Sequence, residues 1–98
     1  MNEAPPTGGL ALAAGPNPAR GAVVIRYHAP ATTDSRLEIV DLAGRVVRTL
    51  PGAHGTAGWH EIAWDGRDGA GRPAGTGAYW VRLALPGEAR TVRVLQLR

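Results

Sequence analysis

The chain contains no cysteine. That excludes a disulfide framework, a thiol nucleophile and a thiolate metal site. It also contains no lysine, so all 11 basic residues are arginine. Schiff-base chemistry and a lysine–asparagine crosslink are therefore excluded. The serine supply is Ser35 alone, at a turn with no motif around it. No segment keeps a helical period. The apolar patch Leu10–Ala14 is too short for the core of a signal peptide or for a bilayer span, and Met1–Gly9 has no basic lead. A domain of this kind working outside the cell is expected to be a piece of a longer exported precursor.

What is present is apolar, glycine-rich and mildly basic. Apolar residues make up 44% of 98 residues, too many for a disordered tail and enough for one domain with one core. Gly 14 and Pro 8 point to many turns. The net charge of +3 is spread along the chain. Many arginines alternate with apolar residues, as in Val81-Arg82-Leu83 and Val92-Arg93-Val94. That is the outward face of strands, not the focused basic stripe of a nucleic-acid binder.

Residues 1–9, with Pro5-Pro6 and Gly8-Gly9, read as a linker, and residues 10–98 as the domain. Strands are expected at Leu10–Ala14, Ala22–Ala29, Arg36–Leu42, Arg45–Leu50, Trp59–Asp65, Ala78–Leu85 and Thr91–Arg98. Gly44 stands in the tight turn between the third and fourth, where a left-handed backbone suits it. About seven short strands at turn-to-turn spacing of about ten residues predict an all-β, antiparallel sandwich of two sheets. Its expected core is Val23, Ile25, Tyr27, Leu37, Ile39, Val47, Leu50, Ile62, Trp64, Tyr79, Val81 and Leu83. Arg26 and His28 fall on the opposite face from Val23, Ile25 and Tyr27. The last strand is ambiguous, because Val92 and Val94 share a face with Gln96 while Leu95 and Leu97 lie opposite. Either both faces are covered or a bulge shifts the register.

Motifs in a fixed order carry a resemblance. They are Gly15-Pro16-Asn17-Pro18, Val24-Ile25-Arg26-Tyr27, Leu37 to Val47, Gly58-Trp59-His60, Trp64-Asp65-Gly66, Gly71, Gly75, Gly77-Ala78-Tyr79 and the closing Val92 to Arg98. Together they resemble the Ig-like family that includes the module of the flagellar hook-capping protein. They resemble more closely still the C-terminal sorting domains of type IX secretion cargo. The resemblance covers about residues 10–98 and implies an Ig-like β-sandwich. It also implies a module read by an outer-membrane translocon after a separate signal has carried the precursor to the periplasm. Family members commonly carry lysine at the end and along the edges, where this chain has arginine. In Ig-like sandwiches a tyrosine at the start of a late strand often bonds back to an upstream loop. Tyr79 stands where such a corner would be, with an ordinary core aromatic as the alternative.

Other candidate chemistry is thin. Asp65 to Gly71 has the oxygen density of a calcium loop but lacks the alternating acids and the distal glutamate of an EF-hand. Asx-turns, or pairing of Asp65 and Asp68 with Arg67 or Arg72, are expected instead, and no metal or other cofactor. The glycines from 66 to 77 precede neither a lysine nor a helix, which removes the physics of a phosphate loop. His28, His54 and His60 fall on different elements, and no nucleophile, base and orienter converge. Trp59 and Trp80 lie on faces opposite the expected core. They are read either as a contact patch for protein or carbohydrate, or as rings packed beneath loops or against arginine side chains.

The resemblance, with no catalytic constellation beside it, implies a non-enzymatic C-terminal secretion, sorting or surface-attachment module of an exported bacterial protein, expected outside the cell or on its surface. Its partner is expected to be protein: secretion machinery, a neighbouring domain or another subunit. Neither nucleic acid nor membrane insertion is expected. Recognition is placed on the last strand, Val92, Arg93, Val94, Leu95, Gln96, Leu97 and Arg98, with main-chain pairing along an open edge as its route. Trp64, Asp65, Gly77, Tyr79 and Gly44 are given structural roles. A spacer or filament subunit assembling through sheet edges is the alternative, and a carbohydrate-binding module using Trp59 or Trp80 a further one.

Overall fold

A computed structural model describes residues 9–51 and 56–97. The expected boundary of a linker at residues 1–9 therefore lies, but for Gly9, outside the described residues. So do His54 and Arg98. The elements are β1 (Ala11–Gly15), β2 (Val23–Ala29), β3 (Arg36–Asp41), β4 (Val46–Leu50), β5 (Gly58–Trp64), β6 (Gly77–Leu85) and β7 (Glu88–Gln96). They form two antiparallel sheets, one ordered β1-β2-β5 and the other β4-β3-β6-β7. The described residues contain no helix.

Side chains alternate across each strand, so each sheet turns one apolar row inward. Val23, Ile25 and Tyr27 from β2 and Trp64 from β5 face Leu37 and Ile39 from β3, Leu50 from β4, Tyr79, Val81 and Leu83 from β6, and Val94 from β7. Trp64 and Tyr79 meet edge to face with centroids 5.7 Å apart. This contact bridges the two sheets, because Trp64 belongs to one and Tyr79 to the other.

Several expectations need correction. Val47 and Ile62 are only partly buried against the core. For Val47 the cause is a register shift between Ile39 and Val40, which leaves it out of the ladder. His28 is buried although it belongs to the outward row. Its Nδ1–H donates to the carbonyl of Gly9, and Trp59 packs edge-on against it at 5.1 Å. Leu10, Ala19 and Ala74 join the core from outside the strands, where no periodicity announces them. The last strand begins at Glu88 rather than Thr91, and it carries no bulge. Its pairing with β6 runs unbroken from Leu85↔Glu88 to Gly77↔Gln96. Val92, Val94 and Gln96 face inward, and Leu95 faces out, 38% exposed.

Candidate functional site

The polar residue at the inward end of β7 has a specific use. Gly21 donates its N–H to Gln96 Oε1 at 2.9 Å, and Gln96 Nε2 donates to the Gly21 carbonyl at 2.9 Å. The side-chain amide thus copies a strand neighbour, and a buried amide keeps both halves satisfied. The segment between β1 and β2 then follows the outer edge of β7. Ala19 donates to the Leu95 carbonyl at 2.8 Å and accepts from Leu97 N–H at 2.8 Å. The Asn17 amide spans the next step, donating to the Arg93 carbonyl at 3.1 Å and accepting from Leu95 N–H at 2.9 Å. The edge from Arg93 to Leu97 is therefore closed. This corrects the expectation of main-chain pairing with a partner there, because those backbone groups are already bonded within the domain.

The opposite edge of the same sheet receives a backbone bond from a loop. After Trp64 the chain leaves β5 and crosses to β4, where Gly69 donates its N–H to the Val47 carbonyl at 2.9 Å. The crossing is held by the Trp64 indole, which donates to the Arg67 carbonyl at 2.8 Å. Asp65 holds it too, accepting from Arg67 N–H at 2.9 Å and from the Arg48 guanidinium at 3.0 Å. Arg67 N–H and the Arg48 charge hold the Asp65 carboxyl below its ordinary range.

Two turns in this region are copies of one another. Asp41-Leu42-Ala43-Gly44-Arg45 and Asp68-Gly69-Ala70-Gly71-Arg72 share the spacing Asp-x-Ala-Gly-Arg. In the first, Asp41 Oδ1 accepts from the N–H of Ala43 and of Arg45, and Oδ2 takes the Arg45 guanidinium at 3.0 Å. In the second, Asp68 Oδ1 accepts from Ala70 and Arg72, and Oδ2 lies 3.4 Å from Arg72 Nε. Gly44 and Gly71 take the same left-handed φ, +84° and +85°, which a side chain would strain. The Arg45 and Arg72 amides, more than their guanidiniums, hold the two carboxyls below the ordinary range. Asp41, Asp65 and Asp68 are thus occupied as turn-formers, each with a nearby arginine. Among the described residues no group of histidine, aspartate and glutamate is arranged to hold a metal.

The remaining candidates sit apart. Tyr79 is buried, and its hydroxyl donates to the Gly75 carbonyl at 2.7 Å, tying the start of β6 to the loop before it. Gly77 opens β6 opposite Gln96. His60 stacks on Tyr27 at 5.0 Å, its Nε2 2.7 Å from the Thr56 carbonyl. Trp59 stands on the outer face of the three-stranded sheet beneath the Arg26 guanidinium, 5.1 Å from the ring centre. Trp80 stands half-buried on the outer face of the other sheet. The two tryptophans therefore do not form one patch.

A three-stranded and a four-stranded antiparallel sheet packed face to face, with a tyrosine tying the β5–β6 corner, define an immunoglobulin-like domain. The chain belongs to the FlgD Ig-like domain family, whose profile matches residues 12–88. Among solved structures, dimeric latent PorU from Porphyromonas gingivalis contains a domain of this fold, with TM-score 0.72 at 24% sequence identity. The match covers 88% of this chain and 9% of PorU. PorZ, an essential bacterial surface component of the type-IX secretion system of the same organism, contains another, with TM-score 0.62 at 22% identity. That match covers 89% of this chain and 11% of PorZ. No curated protein matches the chain.

Proposed function

We propose that this chain is a non-enzymatic secretion or surface-attachment module of an exported bacterial protein, read as a folded unit by a protein partner. The observation that carries this reading is the fold shared with a domain of PorZ, a surface component of a type-IX secretion system, by a chain of the FlgD Ig-like family. The chemistry of the polar groups supports it. Asp41, Asp65 and Asp68 are saturated by amides and arginines, and His60 and Tyr79 are bonded to loop carbonyls. Such groups build turns rather than a reacting centre. The module works outside the cell or at its surface, as part of a longer exported protein.

The test is export of a reporter. A periplasm-directed fluorescent protein carrying this chain at its C-terminus is expressed in a bacterium with a type IX system and in a strain lacking the translocon. Appearance of the reporter on the surface or in the medium of the first strain alone is the expected result. Retention in the periplasm of both strains overturns the proposal. Asn17, Ala19 and Gly69 occupy part of the outer edges of β7 and β4, so copies of a self-assembling spacer, the alternative reading, would pair through β1 or β5, the edges of the three-stranded sheet.

A further inference from the structure

The outer face of the four-stranded sheet carries apolar groups that serve no core. Val46, Val40, Trp80 and Arg93 stand in register across the whole sheet. The next rung pairs Ala78 with Leu95, and Leu42 and Ala78 both line a shallow depression of about 280 Å³. Leu42 is 73% exposed and Val46 51%. A contiguous aliphatic and aromatic stripe of this kind on a strand face marks a contact surface.

Charge on the molecule is distributed unevenly around that stripe. Arg26, Arg36, Arg45, Arg48 and Arg72 each lie against a carboxylate, and Arg67 donates to the Gly71 carbonyl. Among the described residues, Arg20, Arg82, Arg90 and Arg93 have no such partner. Of these, Arg82 and Arg93 lie in the outward row, whereas Arg90, opposite Leu83, belongs to the inward row near the start of β7, and Arg20 to the segment bonded along β7. Arg82 and Arg93 flank Trp80 on the face itself. Glu38, opposite Arg82 in register, lies 4.0 Å from Arg36. Two guanidiniums without a carboxylate partner among the described residues, Arg82 and Arg93, give this face a positive field that an anionic surface complements.

We propose that this face is the recognition surface of the domain, and that it takes a protein whose contact patch has an apolar centre and a carboxylate rim. The inference rests on the secretion-module reading and adds where the partner sits. A glycan would use Trp80 and the guanidiniums of Arg82 and Arg93, but Leu42, Val40, Val46 and Leu95, which make up the rest of the face, offer its hydroxyls no donor or acceptor. Nucleic acid needs arginines aligned on phosphates, whereas the centre of this face is aliphatic. Because the edge of β7 is closed from Arg93 to Leu97, the last strand meets a partner through the outward side chains of Thr91, Arg93 and Leu95.

The test places a photo-crosslinking residue at Thr91 on this face, or at Val24 on the outer face of the other sheet. Each form of the chain is incubated with the envelope fraction of a bacterium that has a type IX system. A protein adduct from position 91 and not from position 24 is expected. It should fall at least tenfold in Arg82→Glu with Arg93→Glu, and also in Leu42→Ser with Val46→Thr, each keeping the wild-type melting temperature. Equal adducts from both faces, no adduct at 91, or an adduct untouched by either variant overturns the proposal. Cosedimentation with phosphatidylglycerol vesicles in place of an adduct does the same. A face-specific adduct without reporter export removes the secretion role and leaves this surface standing. Export without a face-specific adduct does the reverse.

Discussion

Gln96 and Gly21 exchange two hydrogen bonds, each 2.9 Å long, between a side-chain amide and a backbone peptide. The pair fastens the end of β7 to the loop that precedes β2, across nearly the whole length of the chain. Gln96 is 1% exposed, so water does not replace a missing partner there. Gln96→Leu keeps the volume but leaves the Gly21 N–H and C=O unpaired, at a cost of about 1–3 kcal/mol. Urea denaturation at neutral pH measures it. A leucine variant as stable as the wild type would show that Gly21 finds other partners.

Asn17 holds a different part of the same strand. Its amide satisfies both the Arg93 carbonyl and the Leu95 N–H. Asn17→Ala should therefore cost about 1 kcal/mol and open a stretch of strand edge to other chains. Sedimentation at rising concentration should show association in the variant and none in the wild type. A variant that stays monomeric would mean that Ala19 alone keeps the edge closed.

Trp64 supplies the largest side chain of the fully buried core and also an indole N–H bonded to the Arg67 carbonyl at 2.8 Å. Trp64→Ala should cost about 3–5 kcal/mol, a large share of the roughly 5–15 kcal/mol that holds a small domain. Trp64→Phe separates the two contributions. It retains most of the packing but loses the hydrogen bond that starts the crossing to β4. Thermal unfolding should rank the proteins wild type, phenylalanine, alanine, and any other order contradicts this division.

How much of this was legible in the sequence depended on periodicity. Val23, Ile25 and Tyr27, or Tyr79, Val81 and Leu83, announce an inward row by strict alternation, and they lie where the alternation puts them. Trp64 could be placed because it ends such a row. The last strand resisted because Gln96 takes an inward position that alternation reserves for an apolar residue, and only the backbone of Gly21 makes that placement favourable. The closure of the β7 edge was hidden for a related reason. Asn17 and Ala19 act from a loop more than seventy residues away, and no local pattern encodes that distance. The arginine-rich face was readable only in part. Alternation put Trp80 and Arg82 outward, but their alignment with Val40, Val46 and Arg93 is a matter of strand register. The repeated Asp-x-Ala-Gly-Arg is too short and too common in composition to stand out in the sequence, and its meaning came from the same turn-amide bonds that both copies make.

Those twin turns are expected to contribute to the acid sensitivity of the domain. Asp41 and Asp68 are held below the ordinary carboxyl value of 3.8, first by the Arg45 and Arg72 amides, and Asp65 is held down first by the Arg67 amide. A group whose pKa is lower in the folded chain takes up its proton more readily after unfolding. Its contribution is therefore complete above the unfolded value and is lost as pH falls through the folded one. The melting temperature should stay level from neutral pH down to about pH 5 and then fall progressively through pH 3.8 and below. Asp41→Asn with Asp68→Asn keeps an oxygen acceptor for the turn amides but removes the titrating charge. The double variant should start lower at pH 7 and lose less on acidification, so the two curves approach one another as pH falls below the ordinary carboxyl value of 3.8. Parallel curves would assign the acid sensitivity to other carboxylates and take the pH role away from these turns.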